Sequence, residues 1–236
     1  MKEFFSRRSV IVVSIIVLSV LLILAVLEAG ILIRANTWKP WRPDYEKEYI
    51  RELLYKEELT DDDYRTIYRQ TGLTKLGVRG FLDANHPMKI LAIQDDFFAD
   101  NQYEFRLFAP FTGYFRQTFG PTGYAALEDG DILYSPSTFF SFLRLGHSSI
   151  VVDADMRRIA QSSGYGSSVE YIPAANFFVR PAYAVLRPNA TAELRAEVAD
   201  YVYYELSEAV YDFFGGYLGA KFPETLERTQ CAHMIW

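Results

Sequence analysis

The chain has 236 residues, of which half are hydrophobic and 16% are aromatic, and its formal net charge is −6. This composition is typical of a packed globular domain and excludes a wholly disordered chain. The first 34 residues carry four basic and two acidic side chains, so the net charge of the rest is −8. Because an acidic domain without a basic patch repels phosphates, we expect no nucleic-acid partner.

The N-terminal region contains a long apolar run. Val10 to Leu27 contains no charged residue, and at about 1.5 Å per residue roughly 20 apolar residues cross the hydrocarbon core of a bilayer. Trp38 and Trp41 follow at the place where aromatic side chains lie at membrane interfaces. The sequence therefore predicts a transmembrane anchor over residues 9–33, with the lipid bilayer as a partner.

A cleaved signal peptide is the alternative interpretation of this run, because basic residues precede it. The run is long for the apolar region of a signal peptide, and no Ala-x-Ala site follows it, which favours an uncleaved anchor. Basic residues lie on both sides of the run and do not determine its orientation. The short basic tail in front is typical of a signal anchor, which predicts a main domain outside the cytoplasm.

Helices are predicted between the anchor and the main domain. Residues 45–57 have apolar side chains at helical spacing, and Thr60 followed by three aspartates has the form of a helix N-cap. A third helix is predicted from Thr74 to Met88, with Pro87 ending it. These helices define a membrane-proximal region, residues 35–94, which either packs on the main domain or forms a solvated stalk.

The remaining residues, 95–236, are predicted to form the main domain, of the α+β class. Nine aromatic side chains between residues 97 and 119 indicate strands or loops that form an aromatic core, with a substrate groove as the alternative. Strand patterns follow, including Phe177 to Arg180, and a helix is predicted from Thr191 to Phe213. Strands followed by a helix are typical of an α+β domain.

The only cysteine of the chain, Cys231, and a histidine 84 residues before it, His147, are the candidate catalytic pair. A lone thiol and a distant histidine act as nucleophile and base when the fold brings them together. The alternative is a buried and inert cysteine. A single cysteine excludes an intramolecular disulfide and a metal site built from several thiolates, and we expect neither a metal nor a cofactor.

Two further polar residues extend the candidate site. Gln161 lies on the strand after His147, where its side-chain oxygen can accept the second ring N–H and fix the imidazole tautomer. The alternative is an ordinary strand residue that faces solvent. The amide of Cys231 is a candidate oxyanion donor, and Tyr211 is a candidate second donor or substrate contact. If Cys231 opens a helix, the positive end of the helix dipole favours its thiolate.

The order of these features along the chain is informative. A Gly-Asp-Ile-Leu strand, Gly130 to Leu133, precedes His147, and a polar residue lies on the next strand. A Tyr-Asp pair, Tyr211 and Asp212, then comes about 20 residues before Cys231. As a set these features resemble the circularly permuted papain-fold enzymes related to the NlpC/P60 cell-wall peptidases, specifically the YiiX/YaeF-like group. Lecithin retinol acyltransferase belongs to the same permuted branch, and the resemblance covers roughly residues 126–236.

The resemblance implies a permuted papain-like catalytic domain and a cysteine hydrolase, an amidase or peptidase, that acts through a thioester on Cys231. It implies Cys231, His147 and Gln161 as the catalytic residues. Together with the predicted anchor, it indicates a single-pass membrane protein of the bacterial cell envelope with a peptide, amide or lipid substrate. The alternatives are a lipid acyltransferase or lipid hydrolase of the same fold, and an inactive domain that binds envelope ligands. The chain departs from the family after the cysteine, where Cys231-Ala-His-Met-Ile235 replaces the usual Cys-Ser-Glu-Leu-Val.

Overall fold

The structure is a computed structural model, which describes residues 7–119, 125–164, 166–212 and 227–235. These residues form six α-helices: α1 (Arg7–Thr37), α2 (Asp61–Thr71), α3 (Lys75–Asp83), α4 (Pro87–Phe98), α5 (Ala175–Phe178) and α6 (Ala192–Glu205). They also form the strands β1 (Tyr103–Ala109), β2 (Thr112–Gln117), β3 (Ile132–Ser135), β4 (Thr138–Phe140), β5 (Leu143–Arg144), β6 (His147–Asp153), β7 (Arg158–Gln161), β8 (Glu170–Pro173), β9 (Ala184–Leu186), β10 (Val210–Tyr211) and β11 (Arg228–Thr229). Two 3₁₀ turns lie at Leu53–Tyr55 and His233–Ile235. The predicted α+β class is confirmed.

The N-terminal helix α1 is continuous and apolar, and its residues Ser9–Thr37 are long and apolar enough to cross a membrane. Its side chains are exposed along most of its length, as expected of a surface that faces lipid. The helix continues to Thr37, four residues beyond the predicted end of the anchor, because its last turns pack on the rest of the chain.

The C-terminal end of α1 packs against an aromatic sheet with the strand order β1-β2-β4-β5. Ile31 is buried against Phe115 and Phe139 of this sheet. The hydroxyl of Ser141 donates a hydrogen bond of 2.9 Å to the carbonyl oxygen of Leu27. The aromatic segment therefore forms a core, as predicted, and this core fixes the end of α1.

The membrane-proximal helices α2, α3 and α4 have a hydrophobic core of their own, which includes Ile67, Val78, Phe81 and Ile90. The region is thus a packed unit, and the alternative of a solvated stalk is wrong. The N-cap predicted for α2 is confirmed, because the Thr60 hydroxyl accepts a hydrogen bond from the Asp63 amide.

Two helix predictions in this region are wrong. Residues 45–57 form only the turn Leu53–Tyr55, because Gln70 and Gln94 satisfy the backbone groups of this segment, including both the amide and the carbonyl of Glu48. The helix predicted from Thr74 to Met88 is split into α3 and α4. Pro87 begins α4 instead of ending a helix, since its missing N–H is not needed in the first turn.

The main sheet is antiparallel and has the strand order β8-β7-β6-β3-β9. Side chains of the sheet that include Ile150 pack with α6, and others that include Val151 pack with α5. Helix α6 begins at the Thr191 N-cap, as predicted, but ends at Glu205, because Val210 and Tyr211 pair with β11. Phe213, where the helix was expected to end, lies outside the described residues. The strand predicted at Phe177 to Arg180 is the helix α5 and the turn after it.

Gly30 permits the close approach of α1 to the aromatic sheet, which gives a first prediction. A Cβ at position 30 would overlap the Ser141 hydroxyl and lie 3.2 Å from the Phe142 amide nitrogen. We expect Gly30→Leu to separate the end of α1 from the sheet, so that trypsin cleaves after Arg34 faster in detergent-solubilised protein. Ala25→Leu, on an exposed position of the same helix, is the control. Equal cleavage of both variants would show that the contact does not fix the helix.

Candidate active site

The predicted base, His147, is the first residue of β6, the central strand of the main sheet. Gly146 precedes it with φ of 74°, a conformation that favours glycine, and its amide donates to the carbonyl of Thr138 as the chain turns into the strand. The strand β6 pairs with β3 on one side and β7 on the other. His147 is consequently buried, with 8% of its surface exposed.

Gln161 binds the imidazole of His147, and Nε2 of the ring lies 2.9 Å from Oε1 of the amide. On its other side Gln161 donates from Nε2 to the Glu170 carboxylate at 3.2 Å, and Ser163 donates to the same carboxylate oxygen at 3.0 Å. Gln161 and Glu170 are direct cross-strand partners in β7 and β8. The predicted contact between Gln161 and His147 is confirmed, and the alternative of a solvent-facing glutamine is wrong.

This hydrogen-bond chain determines the tautomer of the neutral imidazole. Because the amide group of Gln161 donates to a carboxylate, its oxygen is the atom that faces His147, so Nε2 of His147 carries the proton. No described residue forms a hydrogen bond with Nδ1 of His147. Nδ1 therefore has a lone pair that can accept a proton. Glu170 was not predicted as part of the site. The signal that could have revealed it is its position opposite Gln161 in the pair of β7 and β8.

Burial, and secondly the neighbouring Arg180 cation, lowers the pKa of His147 from its ordinary value of 6.5 to about 3. The hydrogen bond with Gln161 opposes this shift. The imidazole is consequently neutral throughout the physiological pH range, and it becomes an effective base only when the charges of the thiolate and the substrate raise this pKa.

Cys231 is brought to this strand by its own backbone. Its carbonyl oxygen accepts a hydrogen bond of 2.8 Å from the hydroxyl of Ser148, the residue next to His147. Met234 is buried in the core with Ile150 and Val202. Cys231 itself is partly exposed. These contacts place the segment that carries the thiol beside the start of β6.

The helix expected to begin at Cys231 is only the turn His233–Ile235. A single 3₁₀ turn has no appreciable macrodipole, so the expected stabilisation of the thiolate by a helix N-terminus does not apply. The thiol contacts Oε1 of Gln230 at 3.6 Å, and the Ala232 amide donates to the same oxygen at 3.2 Å. Among the residues that the structure describes, none forms a hydrogen bond that links the thiol with His147.

Tyr211 lies beside the cysteine segment through backbone pairing. It is opposite Thr229 in the parallel pair of β10 and β11, two residues before Cys231. The Tyr211 amide donates to the carbonyl of Ser167 at 2.8 Å. The structure places Tyr211 next to the segment that leads to the thiol, and its role as an oxyanion donor or substrate contact stays a prediction.

Arg180 is a member of the site that the sequence did not reveal. Its guanidinium carbon lies 4.6 Å from the ring centroid of Phe177 and 5.0 Å from that of Tyr114. The Phe177 ring is stacked on the His147 ring, with centroids 6.0 Å apart and planes at 24°. Burial lowers the pKa of Arg180 to about 10, against the opposing effects of Tyr114 and Cys231. A cation thus packs on the same ring, Phe177, as the candidate base.

A cavity of about 560 Å³ lies between the membrane-proximal helices and the segment that leads into β9. Trp41, Tyr103 and Arg180 are among the residues that line it, and neither Cys231 nor His147 does. The described ranges contain no group of three or more His, Cys, Asp or Glu side chains that could hold a metal ion. The chemistry available beside β6 is therefore that of a thiol, an imidazole, an amide and a guanidinium.

Comparison of the chain with family models, with curated proteins and with solved structures finds no match.

The lowered pKa of His147 gives a prediction for stability against pH. The unfolded chain binds a proton at this position near pH 6.5 and the folded chain only near pH 3, so stability is full above about pH 6.5 and is lost as the pH falls towards 3. We expect His147→Gln, which cannot gain this proton, to have a flatter dependence of unfolding temperature on pH between those values. Calorimetry of both proteins in detergent measures the difference. Parallel curves would contradict a buried neutral imidazole.

Proposed function

We propose that the protein is a membrane-anchored cysteine hydrolase with a permuted papain-like domain, which cleaves amide or peptide bonds of the cell envelope. The observation that carries the proposal is the hydrogen-bond chain from His147 through Gln161 to Glu170, beside the segment of Cys231. An amide that orients the imidazole is what a histidine needs if it is to act as the base of a cysteine nucleophile. The helix α1 supports a single-pass anchor, and the short basic tail before it supports a domain outside the cytoplasm.

The proposed reaction begins with transfer of the thiol proton to Nδ1 of His147, which requires the thiol to turn from Gln230 towards the ring. The thiolate attacks the carbonyl carbon of the substrate, and the amine leaves with the proton from His147. Water, deprotonated by the same imidazole, then hydrolyses the thioester on Cys231. Catalytic hydrogen bonds often form only when the substrate binds, so the contact of the thiol with Gln230 is compatible with this sequence.

The oxyanion of this reaction needs a hydrogen-bond donor. The Cys231 amide makes no hydrogen bond to any described residue, so it is available to the developing negative charge. The Ala232 amide is already bound by Gln230. Tyr211 is the proposed second donor or substrate contact, on the strength of its position opposite Thr229.

A lipid acyltransferase or lipid hydrolase of the same fold is the second candidate function. The observation that favours it is an exposed apolar hairpin next to α1, in which Phe142 is 55% exposed and Leu143 is 48% exposed. Phe142 also contacts α1, because its carbonyl oxygen accepts a hydrogen bond from Arg34. A domain held close to the bilayer in this way has ready access to lipid esters.

Thiol alkylation tests the proposed nucleophile, since the chain has one cysteine. We expect iodoacetamide to modify Cys231 at about pH 6.5 faster than an unfolded control, and His147→Ala to slow the reaction about tenfold or more, because the thiolate loses its base. His86→Ala, at an exposed position before α4, is the matched control. Modification at the unfolded rate, and unaffected by either substitution, would indicate the inactive binding domain instead.

The chain from His147 to Glu170 predicts a pattern of charge compensation. Gln161→Ala should slow alkylation about tenfold while the fold is retained, because the imidazole loses its orientation. Gln161→Glu should lower stability, since its carboxylate would replace the amide that donates to Glu170 and two negative charges would then face each other.

Combining Gln161→Glu with Glu170→Gln should restore both stability and alkylation, because one amide and one carboxylate are again paired. Circular dichroism and alkylation rates of the three variants measure these effects. A double variant no better than Gln161→Glu alone would mean that Glu170 does not support the site.

A further inference from the structure

Arg180 is a partly buried cation that has no counter-ion among the described residues. Its Nη1 donates one long hydrogen bond of 3.4 Å to the carbonyl oxygen of Asn176. Its Nε is buried and has no hydrogen-bond partner. No carboxylate among the described residues forms an ion pair with it. The partly buried Arg187 shows the contrast, because it donates two hydrogen bonds of 2.8 Å to the buried carboxylate of Asp131.

A buried guanidinium without an anion is costly, because the charge loses its hydration and gains no partner. Contacts with the faces of Phe177 and Tyr114 offset part of this cost through cation–π attraction. They leave Nε without an acceptor. A buried polar group without a partner requires an explanation, and a bound ligand that supplies the acceptor is one.

The position of Arg180 relates it to the reacting atoms. Phe177 contacts the guanidinium and stacks on the His147 ring, so the cation and the base lie against the same side chain. Cys231 also lies within electrostatic reach of Arg180. The geometric link between the cation and the candidate base is therefore the Phe177 ring, which contacts both.

We infer that Arg180 binds a carboxylate of the substrate next to the scissile bond, so that the proposed hydrolase acts on amides of acidic peptides. This inference rests on the proposed function. The coplanar N–H groups of a guanidinium match the two oxygens of a carboxylate, and the rings of Phe177 and Tyr114 restrict access to that planar edge. The carboxylate supplies the acceptor that Nε lacks.

A pair of alkylating reagents tests the inference, because they differ in one charge. The Cys231 sulfur displaces iodide from both iodoacetate and iodoacetamide, with loss of the thiol proton, but only iodoacetate carries a carboxylate. We expect Arg180→Met to reduce the ratio of the iodoacetate rate to the iodoacetamide rate about tenfold or more, and Arg180→Lys to reduce it less. Arg158→Met, which removes an exposed charge from β7, should leave the ratio unchanged.

The same experiment separates the inference from a role of Arg180 in holding the Cys231 thiolate. In that case Arg180→Met would slow both reagents equally and leave their ratio as in the wild type, and the inference would be overturned. Wild-type protein that reacts with neither reagent faster than an unfolded control would instead overturn the proposed nucleophile. A normal iodoacetamide rate without any effect on the ratio would overturn only the carboxylate site.

Protection of the unmodified wild-type protein supplies a readout that does not depend on the folding of a variant. We expect N-acetylglycine, a small amide with a carboxylate, to slow alkylation by iodoacetamide in a saturable manner, and N-acetylglycine amide to have no effect. Glycerol 3-phosphate is the comparison for a lipid phosphate. Protection by glycerol 3-phosphate and not by N-acetylglycine would overturn the acidic peptide in favour of a phosphate ester.

Discussion

The hydrogen bond from the Ser148 hydroxyl to the carbonyl oxygen of Cys231 joins two segments that are 83 residues apart, and the candidate site depends on it. It connects the cysteine segment to β6 one residue after the base. Met234 is buried in the core with Ile150 of β6, which holds the same segment in place. This burial contributes about 1.5–3 kcal/mol to the stability of the fold. The segment is therefore positioned by the Cys231 carbonyl and by a side chain three residues later, and the thiol itself contacts Oε1 of Gln230.

The register of three strands determines the electrostatics around the base. His147, Gln161 and Glu170 lie on β6, β7 and β8 in turn, so their side chains form a chain across the sheet that ends in a carboxylate. A shift of one residue in either pair would direct one of these side chains to the opposite face. The carboxylate does not touch the imidazole, and burial, with the Arg180 cation as a second cause, lowers the pKa of His147 and keeps the ring neutral.

The Thr60 cap and the contact of Gln161 with the histidine could be predicted from the sequence. The cap depends on residues of one turn, and the contact depends on residues of two adjacent strands. Residues 45–57 were assigned wrongly, since side chains such as Gln70 from another helix satisfy their backbone. Arg180 follows an apolar run whose pattern does not distinguish a strand from a short helix, and its role depends on contacts with distant elements. The family resemblance stays a prediction.

The packing of Ile31 and Gly30 against the aromatic sheet has a mechanical consequence. If α1 spans a bilayer as proposed, the height of β6 above it is determined by the dimensions of the folded chain, because the end of α1 is bound to the sheet and not followed by a free tether. The same sheet supplies Tyr114, which contacts Arg180, so a change in the tilt of α1 would be transmitted to the Arg180 side chain. Lipid thickness and curvature would then become variables of the site.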